Sequence, residues 1–346
     1  MNSVKRTPST FWHSASRLGL VWPATGALFL ISPLIAARSL DGPALMTMLP
    51  LAGVLALIAV GQGLVVQQRG IDLSIPGIMS LSGLVLTQFA AQYGIVLAIV
   101  LAIGAAALGG LANGLVVTKL HITPIVATLA VNALLLGAVQ FYSGGIASSA
   151  PASLTGFALS NTVGVSNVFL LALVILIAVA IVNRRTMFGR RLTQAGKSPA
   201  ALNLIGGNVP VITCASYVIS AVFYGVAAVL LTAYLQTPGL DLGADQLLPS
   251  VAAVVLAGNA LTGGDLKVWS IAAAALFLTQ LDQLVLSTGA PNSVQLLIQA
   301  AVLLVAVSMP LLRRMSIHRA QRRVDAGSAG ETAPPFTGSR LKETAV

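Results

Sequence analysis

"LMTMLPLAGVLALIAVGQGLVV" (residues 45–66) runs for 22 positions without a charged side chain. As a helix rising about 1.5 Å per residue it reaches about 33 Å, enough for the ~30 Å hydrocarbon core of a bilayer. Nine further apolar stretches of similar character flank it, at 20–37, 73–91, 95–117, 122–142, 167–183, 211–235, 247–261, 268–286 and 294–312. The whole chain of 346 residues is 56% hydrophobic and 8% charged, against about 25% charged in soluble domains. So little polar surface would not keep a soluble domain dissolved, and the composition predicts a polytopic membrane protein. The stretch 247–261 is short. It reads either as a full crossing or as a half-helix, which survives at membrane depth only when buried in protein.

The formal net charge is +10. In a soluble chain that would point to nucleic acid, but here the basic residues sort by membrane side, and no nucleic-acid partner is expected. With the N-terminus inside and ten crossings, Lys5, Arg6, Arg17, Arg69, Lys119, Arg184, Arg185, Arg190, Arg191, Lys197 and Lys267 fall on the cytoplasmic side. The seven basic residues beyond 312 join them, which leaves only Arg38 of the 19 outside. Removing the eighth crossing would put Lys267 and the basic tail outside, against the positive-inside rule. The fold class predicted is therefore an all-α membrane helix bundle of about ten transmembrane helices with both termini cytoplasmic. It divides into a cytoplasmic N-terminal segment 1–19, a transmembrane domain 20–312 and a basic, disordered cytoplasmic tail 313–346. The first span also has the look of a signal peptide, although its apolar run is long for one.

The single cysteine, Cys214, forms no internal disulfide, and the three histidines are scattered. No metal-ligand spacing, catalytic nucleophile motif or dinucleotide fingerprint is present, so no metal or cofactor is expected on this chain and it does not read as an enzyme. The loop 143–166, "SGGIASSAPASLTGFALSNTVGVS", is uncharged and rich in small residues, which predicts an irregular, outward-facing connection. A weak repeat pairs residues 49–64 and 70–88 with 248–261 and 263–280. Both copies carry Leu-Pro, a Gly–amide pair (Gly61-Gln62, Gly258-Asn259), Asp-Leu (Asp72-Leu73, Asp265-Leu266) and a closing Thr-Gln. Both run the same way through the predicted topology, which would make the repeat parallel; chance similarity among apolar helices is the other reading.

The basic segment "FGRRLTQAGKSPAALNLIGGNVP" (188–210) interrupts the apolar pattern on the cytoplasmic side, within the loop 184–210. Ser198 can cap a helix begun by Pro199, Ala200, Ala201 and Leu202 continue it, and Gly206 can supply its left-handed stop. A bare connection needs no such element. The segment resembles the coupling loop of bacterial ABC-importer permeases of the ribose/sugar class, within the branched-chain permease superfamily, at Gly196, Ala200, Ala201 and Gly206. The acidic position usual in that loop is filled here by Ala or Pro. "RGIDLSIPGIMSLSG" resembles that family's Gly-Ile-Asp-Leu-Ser signature at Gly70, Ile71, Asp72, Leu73 and Ser74. "NGLVVTKLHITPIVATLA" resembles its Asn-Gly-Leu and Pro-x-x-x-Thr-Leu motifs at Asn113, Gly114, Pro124, Thr128 and Leu129. "LLPSVAAVVLAGNALTGG" resembles its Ala-Ala-Val-Val-Leu-Gly-Gly run, with Ala257 in place of the first glycine. The resemblance extends over about residues 45 to 310.

That resemblance implies a bacterial inner-membrane permease subunit for a sugar or sugar-like solute. It also implies a second permease copy or paralogue, two ABC ATPase subunits and a periplasmic solute-binding protein. The chain has no Gly-x-x-x-x-Gly-Lys-Ser/Thr loop, so ATP and magnesium would be used by the ATPase chain. Another polar solute is the alternative within this class: an autoinducer, a nucleoside or a branched-chain amino acid. A self-contained secondary transporter would need ion-coupling charges deep in the bundle, and only Asp282 falls within a span. Asp282, with Gln280, Gln283, Gln295, Gln299 and Asn132, reads either as lining of a solute pathway or as polar glue between helices. Asp72, Ser74 and Asp265 read as structural helix starts.

Overall fold

Prolines begin several of the long helices. The computed structural model describes residues 21–291, 293–302, 304, 305 and 308; the segments 1–19 and 313–346 and the end of the last predicted span lie outside the described residues. The chain forms α1 (Val21–Ile35), α2 (Gly42–Gln67), α3 (Ile75–Tyr93), α4 (Ile95–Lys119) and α5 (Pro124–Ser143). It continues through α6 (Ala152–Leu159), α7 (Asn167–Arg185), α8 (Met187–Lys197), α9 (Pro199–Leu204) and α10 (Val209–Leu235). It closes with α11 (Leu247–Leu256), α12 (Val268–Ser287) and α13 (Ser293–Val302). Pro43, Pro76, Pro124 and Pro210 each sit in the first turn of α2, α3, α5 and α10, where a missing N–H costs nothing and the fixed φ suits a helix. Among the described residues six helices, α2, α4, α5, α7, α10 and α12, are long and apolar enough to cross a membrane. The chain is thus an all-α, multi-pass membrane protein.

Burial sorts these helices into a centre and a rim. In α2 and α10, 67% of the most apolar window is buried, against 28% in α4 and 22% in α5 and α7. The rim helices turn Val96, Val100, Leu108, Leu134 and Phe141 outward, an arrangement that suits lipid and would be costly in water. Small residues let the central helices approach. A β-carbon at Gly110 would lie 2.5 Å from both Ala221 Cβ and the Tyr217 carbonyl, and one at Gly114 would lie 2.6 Å from Cys214 Sγ. The Gly110-x-x-x-Gly114 face of α4 therefore packs directly on the backbone of α10, as small-residue faces do in membranes.

The eighth apolar stretch departs from a plain helix. Residues 236–243 run down the flank of α3: Ser80 Oγ donates to the Leu242 carbonyl at 3.2 Å, and Gly243 meets Met79. Only then does α11 begin, and its Val254 reaches Gly63 near the far end of α2. Ten helical residues cover about 15 Å, half of a bilayer core. α11 stops at Leu256 because Gly258 turns to φ +73 and Asn259 Nδ2 folds back to donate to the Val254 carbonyl at 3.0 Å.

The stretch 143–166 is more ordered than its composition predicts. It holds α6 and a two-stranded hairpin, Asn161–Thr162 paired with Val165–Ser166. Val163 and Gly164 both take positive φ, the requirement of the tight turn that matches strand twist. Of the small residues that suggested irregularity, Gly164 supplies one of the two turn positions.

Candidate functional site

Three segments distant in sequence meet at the end of the bundle where α2 and α7 finish and α12 begins. The first is the basic segment itself. It forms two helices rather than the one expected. Thr186 caps α8, its Oγ1 accepting from Gly189 N at 3.2 Å. Ser198 caps α9, its Oγ accepting from Ala201 N at 3.4 Å, with Pro199 in the first turn. Leu202 is buried and anchors α9, whereas Leu204 and Ile205 are exposed. Gly206 ends it at φ +78, and Gly207 N donates to the Leu202 carbonyl at 2.9 Å. Ala200 and Ala201 lie on the exposed side. α8 turns Gly189, Leu192, Ala195 and Gly196 inward and keeps its arginines outside.

The second segment is the turn after α2. Gln67 Nε2 donates to Thr193 Oγ1 at 3.1 Å, and Gln68 Nε2 donates to the Leu192 carbonyl at 3.0 Å. Arg69 adopts φ +67, and its guanidinium donates to the carbonyls of Gly196 at 3.2 Å and Lys197 at 3.3 Å. These carbonyls end α8 and lack helical partners, so a cation is favourable there. Gly196 lies so close that a β-carbon would overlap the Gln67 carbonyl oxygen.

The third is the loop before α12. Gly264 N donates to the Gln67 carbonyl at 3.3 Å. Asp265 does not start α12 as its position suggested: the helix begins three residues on, at Val268, with no side-chain cap. The aspartate instead faces Lys197, Oδ1 to Nζ at 2.7 Å, on a surface where both side chains are about half exposed. An open cleft of about 390 Å³ lies alongside, lined by Asn183, Arg184, Thr193, Asp265, Lys267 and Trp269 among others.

Residues singled out in separate motifs are knotted together behind this face. Asp72 Oδ1 accepts from Ser74 N at 2.9 Å and Ser74 Oγ at 2.6 Å. Asn113 Nδ2 donates to the same Ser74 Oγ at 2.6 Å, and Leu73 N donates to Thr128 Oγ1 at 3.0 Å. Asp72, in the turn between α2 and α3, is fully buried, and its Oδ2 has no partner among the described residues. Burial pushes its carboxyl up to about 6, against the opposing effect of the two Ser74 bonds. The knot holds the start of α3 against α4 and α5. With its amide turned to suit its neighbours, Gln62 brackets Asp72, donating to its carbonyl and accepting from its N–H at 3.2 Å each. In the second copy of the repeat, Asn259 Oδ1 accepts from Lys267 N at 3.0 Å. An amide thus closes on the turn before the next helix in both copies.

Of the polar residues grouped as pathway lining, Asp282 and Gln299 meet, while Gln280, Gln283 and Asn132 each bond to a different element. Asp282 Oδ1 accepts from Gln299 Nε2 at 2.9 Å, which ties α12 to α13. Gln280 is buried and donates to Ser32 Oγ of α1 at 2.9 Å; Gln283 donates to the Ala44 carbonyl of α2 at 3.2 Å. Asn132 lies elsewhere, its Oδ1 accepting from Gly77 N of α3 at 2.7 Å. Each joins a pair of helices. At the other end of α3, Ser80, Gly83 and Thr87 face the strap of Ser148 and Pro238–Leu240 across a space of about 10 Å³, room for no more than one water. Gln88 Nε2 to Ser148 Oγ at 2.8 Å and Ser149 Oγ to Thr237 Oγ1 at 3.0 Å close that strap.

A family described as branched-chain amino acid transport system / permease component matches residues 44–307. The chain is similar to the autoinducer 2 import system permease protein LsrD of Escherichia coli (strain K12), at 30% identity over 275 residues, covering 77% of this chain and 82% of the relative. The proteins of that name from Shigella flexneri and Escherichia coli O157:H7 match with the same identity and coverage. No solved structure matches. With the match running from the first turn of α2 past α12, the chain belongs to the branched-chain amino acid transport system permease family, an ABC-type group of transport subunits.

Proposed function

We propose that this chain is the membrane-spanning subunit of an ATP-driven importer for a sugar or sugar-like solute, working with a separate ABC ATPase and a periplasmic binding protein in the bacterial inner membrane. The observation that carries the reading is the capped α8–α9 pair. It is a preformed, basic docking element fastened to the ends of α2 and α12, with an open polar cleft beside it. An ATPase seated on α8 and α9 would move the helices fastened to them and switch access from one side to the other. Two copies, or a copy and a paralogue, would form the translocation unit. Among solutes, the relatives' name favours one of the autoinducer class over a nucleoside or a branched-chain amino acid.

The topology of this reading has ten crossings, with the eighth made half of chain (236–243) and half of helix (α11), and with both termini, α8 and α9 cytoplasmic. Single cysteines at Ser149 and Ser198 in a Cys214→Ala background test the sidedness with an impermeant thiol reagent on whole cells. Labelling at 149 alone is expected, and labelling at 198 would overturn the arrangement. Affinity purification of the permease from its native membrane tests the partnership: an ATPase of the ABC class should accompany it in stoichiometric amount.

A further inference from the structure

Lys197 is gripped from both copies of the internal repeat. Its carbonyl accepts from Arg69, in the turn that follows α2, and its ammonium meets Asp265, in the loop that precedes α12. The two turns occupy matching places, Gly70-Ile71-Asp72-Leu73 in the first copy and Gly263-Gly264-Asp265-Leu266 in the second. In the first copy the aspartate turns inward onto Ser74 and the neighbouring Arg69 reaches α8 instead; in the second the aspartate itself turns outward onto Lys197. The backbone bond from Gly264 N to the Gln67 carbonyl ties the two turns to each other directly beneath Gly196. On the chain side, the covalent exit toward α10 is the Gly206–Gly207 stop, with open space around the Gly206 Cβ position.

We infer that Arg69 and Asp265 are positioning residues that pin Lys197 to α2 and α12, so that displacement of α8 and α9 is delivered to both repeat copies as one unit. The inference rests on the reading of α8–α9 as the ATPase-docking element. A fold that used this segment only as a linker would not need to hold one lysine from two directions at its backbone and its side chain. The Lys197–Asp265 pair is half exposed, and pairs of that kind contribute little to stability. Its loss should therefore be read in transmission and not in folding.

The test measures solute moved per ATP hydrolysed in proteoliposomes holding the permease with its co-purified ATPase and its binding protein. Arg69→Gly keeps the positive φ that glycine favours and removes the whole side chain, guanidinium included. Asp265→Lys reverses one partner of the ion pair, and Lys197→Asp combined with Asp265→Lys restores opposite charges. The inference expects Arg69→Gly and Asp265→Lys each to lower the transport-to-hydrolysis ratio about tenfold, with co-purified ATPase as in the wild type and, for Asp265→Lys, an unchanged melting temperature. The charge-swapped pair should recover at least about half of the loss, as a double-mutant cycle requires of partners in contact. A wild-type ratio in both single variants would overturn the inference, as would a swapped pair no better than Asp265→Lys alone. Loss of the ATPase from the variants alone would place these residues in the docking contact and would equally overturn it. Absence of an ATPase from the wild-type preparation would instead remove the docking reading beneath it.

Discussion

Gly196→Ala places one methyl group where the structure has no room for it. The added carbon would overlap the Gln67 carbonyl oxygen and lie 3.2 Å from Gly264 N, while carbon–oxygen contacts settle at about 3.3–3.6 Å. Both obstacles are backbone, so neither can swing aside, and the end of α8 must lift by roughly 1 Å. That movement stretches two Arg69 bonds that already measure 3.2 and 3.3 Å, together with the 3.3 Å bond from Gly264 N to Gln67 O that the methyl displaces. At about 0.5–1.5 kcal/mol net per bond the loss is roughly 1.5–4.5 kcal/mol. Alanine regains about 1 kcal/mol of helix propensity. A net local cost of order 1–3 kcal/mol shifts the seated-to-lifted equilibrium of α8 by about 5- to 150-fold in favour of the lifted form. Hydrogen exchange over residues 187–204 should accelerate accordingly while α2 and α10 keep their protection, and ATP-driven uptake should fall by a similar factor. Gly104→Ala, where nothing lies within 4 Å, is the control. Unchanged exchange and uptake in Gly196→Ala would refute the contact on which the account of this site depends.

Asp72 carries a pH dependence. Its folded pKa is raised from 3.8 to about 6, so its contribution favours folding at acid pH and is lost as pH rises through 6, a difference of about 3 kcal/mol at pH 8. Asp72→Asn should therefore raise the melting temperature in detergent at pH 8 by several degrees and give no such gain near pH 4. Gly206→Val forces a β-branched residue to φ +78 at an order of 1–2 kcal/mol; uptake should drop while membrane insertion is normal, and Gly206→Asn should retain more uptake than Val. Asp282→Leu strands the Gln299 amide at about 1–3 kcal/mol. It should lower the melting temperature and leave the half-saturating solute concentration as it is, whereas a rise in that concentration would return Asp282 to the solute pathway.

The long helices were legible because uninterrupted apolar runs, several of them opened by a first-turn proline, leave the backbone one solution in lipid. The interior of the eighth stretch was not. Residues 247–261 read as one apolar run, and what ends α11 at Leu256 is the Asn259 amide folding onto Val254, a tertiary detail of a small loop. α8 was missed because its sequence is basic and half polar. The signals were present in Thr186 three residues before Gly189, and in Leu192 and Ala195 one turn apart on the buried side. Asp265 shows the limit from the other direction. The repeat pattern sets it opposite Asp72, yet such a pattern does not say which way a side chain turns, and the two aspartates turn opposite ways. The amides scattered on α5, α12 and α13 could not be assigned to a pathway or to interhelical contacts until neighbouring helices were known, because polar residues serve both.

The most direct measurement of the central claim is solute uptake into proteoliposomes containing the permease, its co-purified ATPase and a binding protein, with ATP supplied on the ATPase side and ion gradients collapsed. The account predicts uptake that requires ATP hydrolysis, stops when a hydrolysis-deficient ATPase is substituted, and drops when Gly206→Val disturbs the stop after α9. Uptake by the permease alone, driven by an ion gradient with no ATPase present, would contradict it.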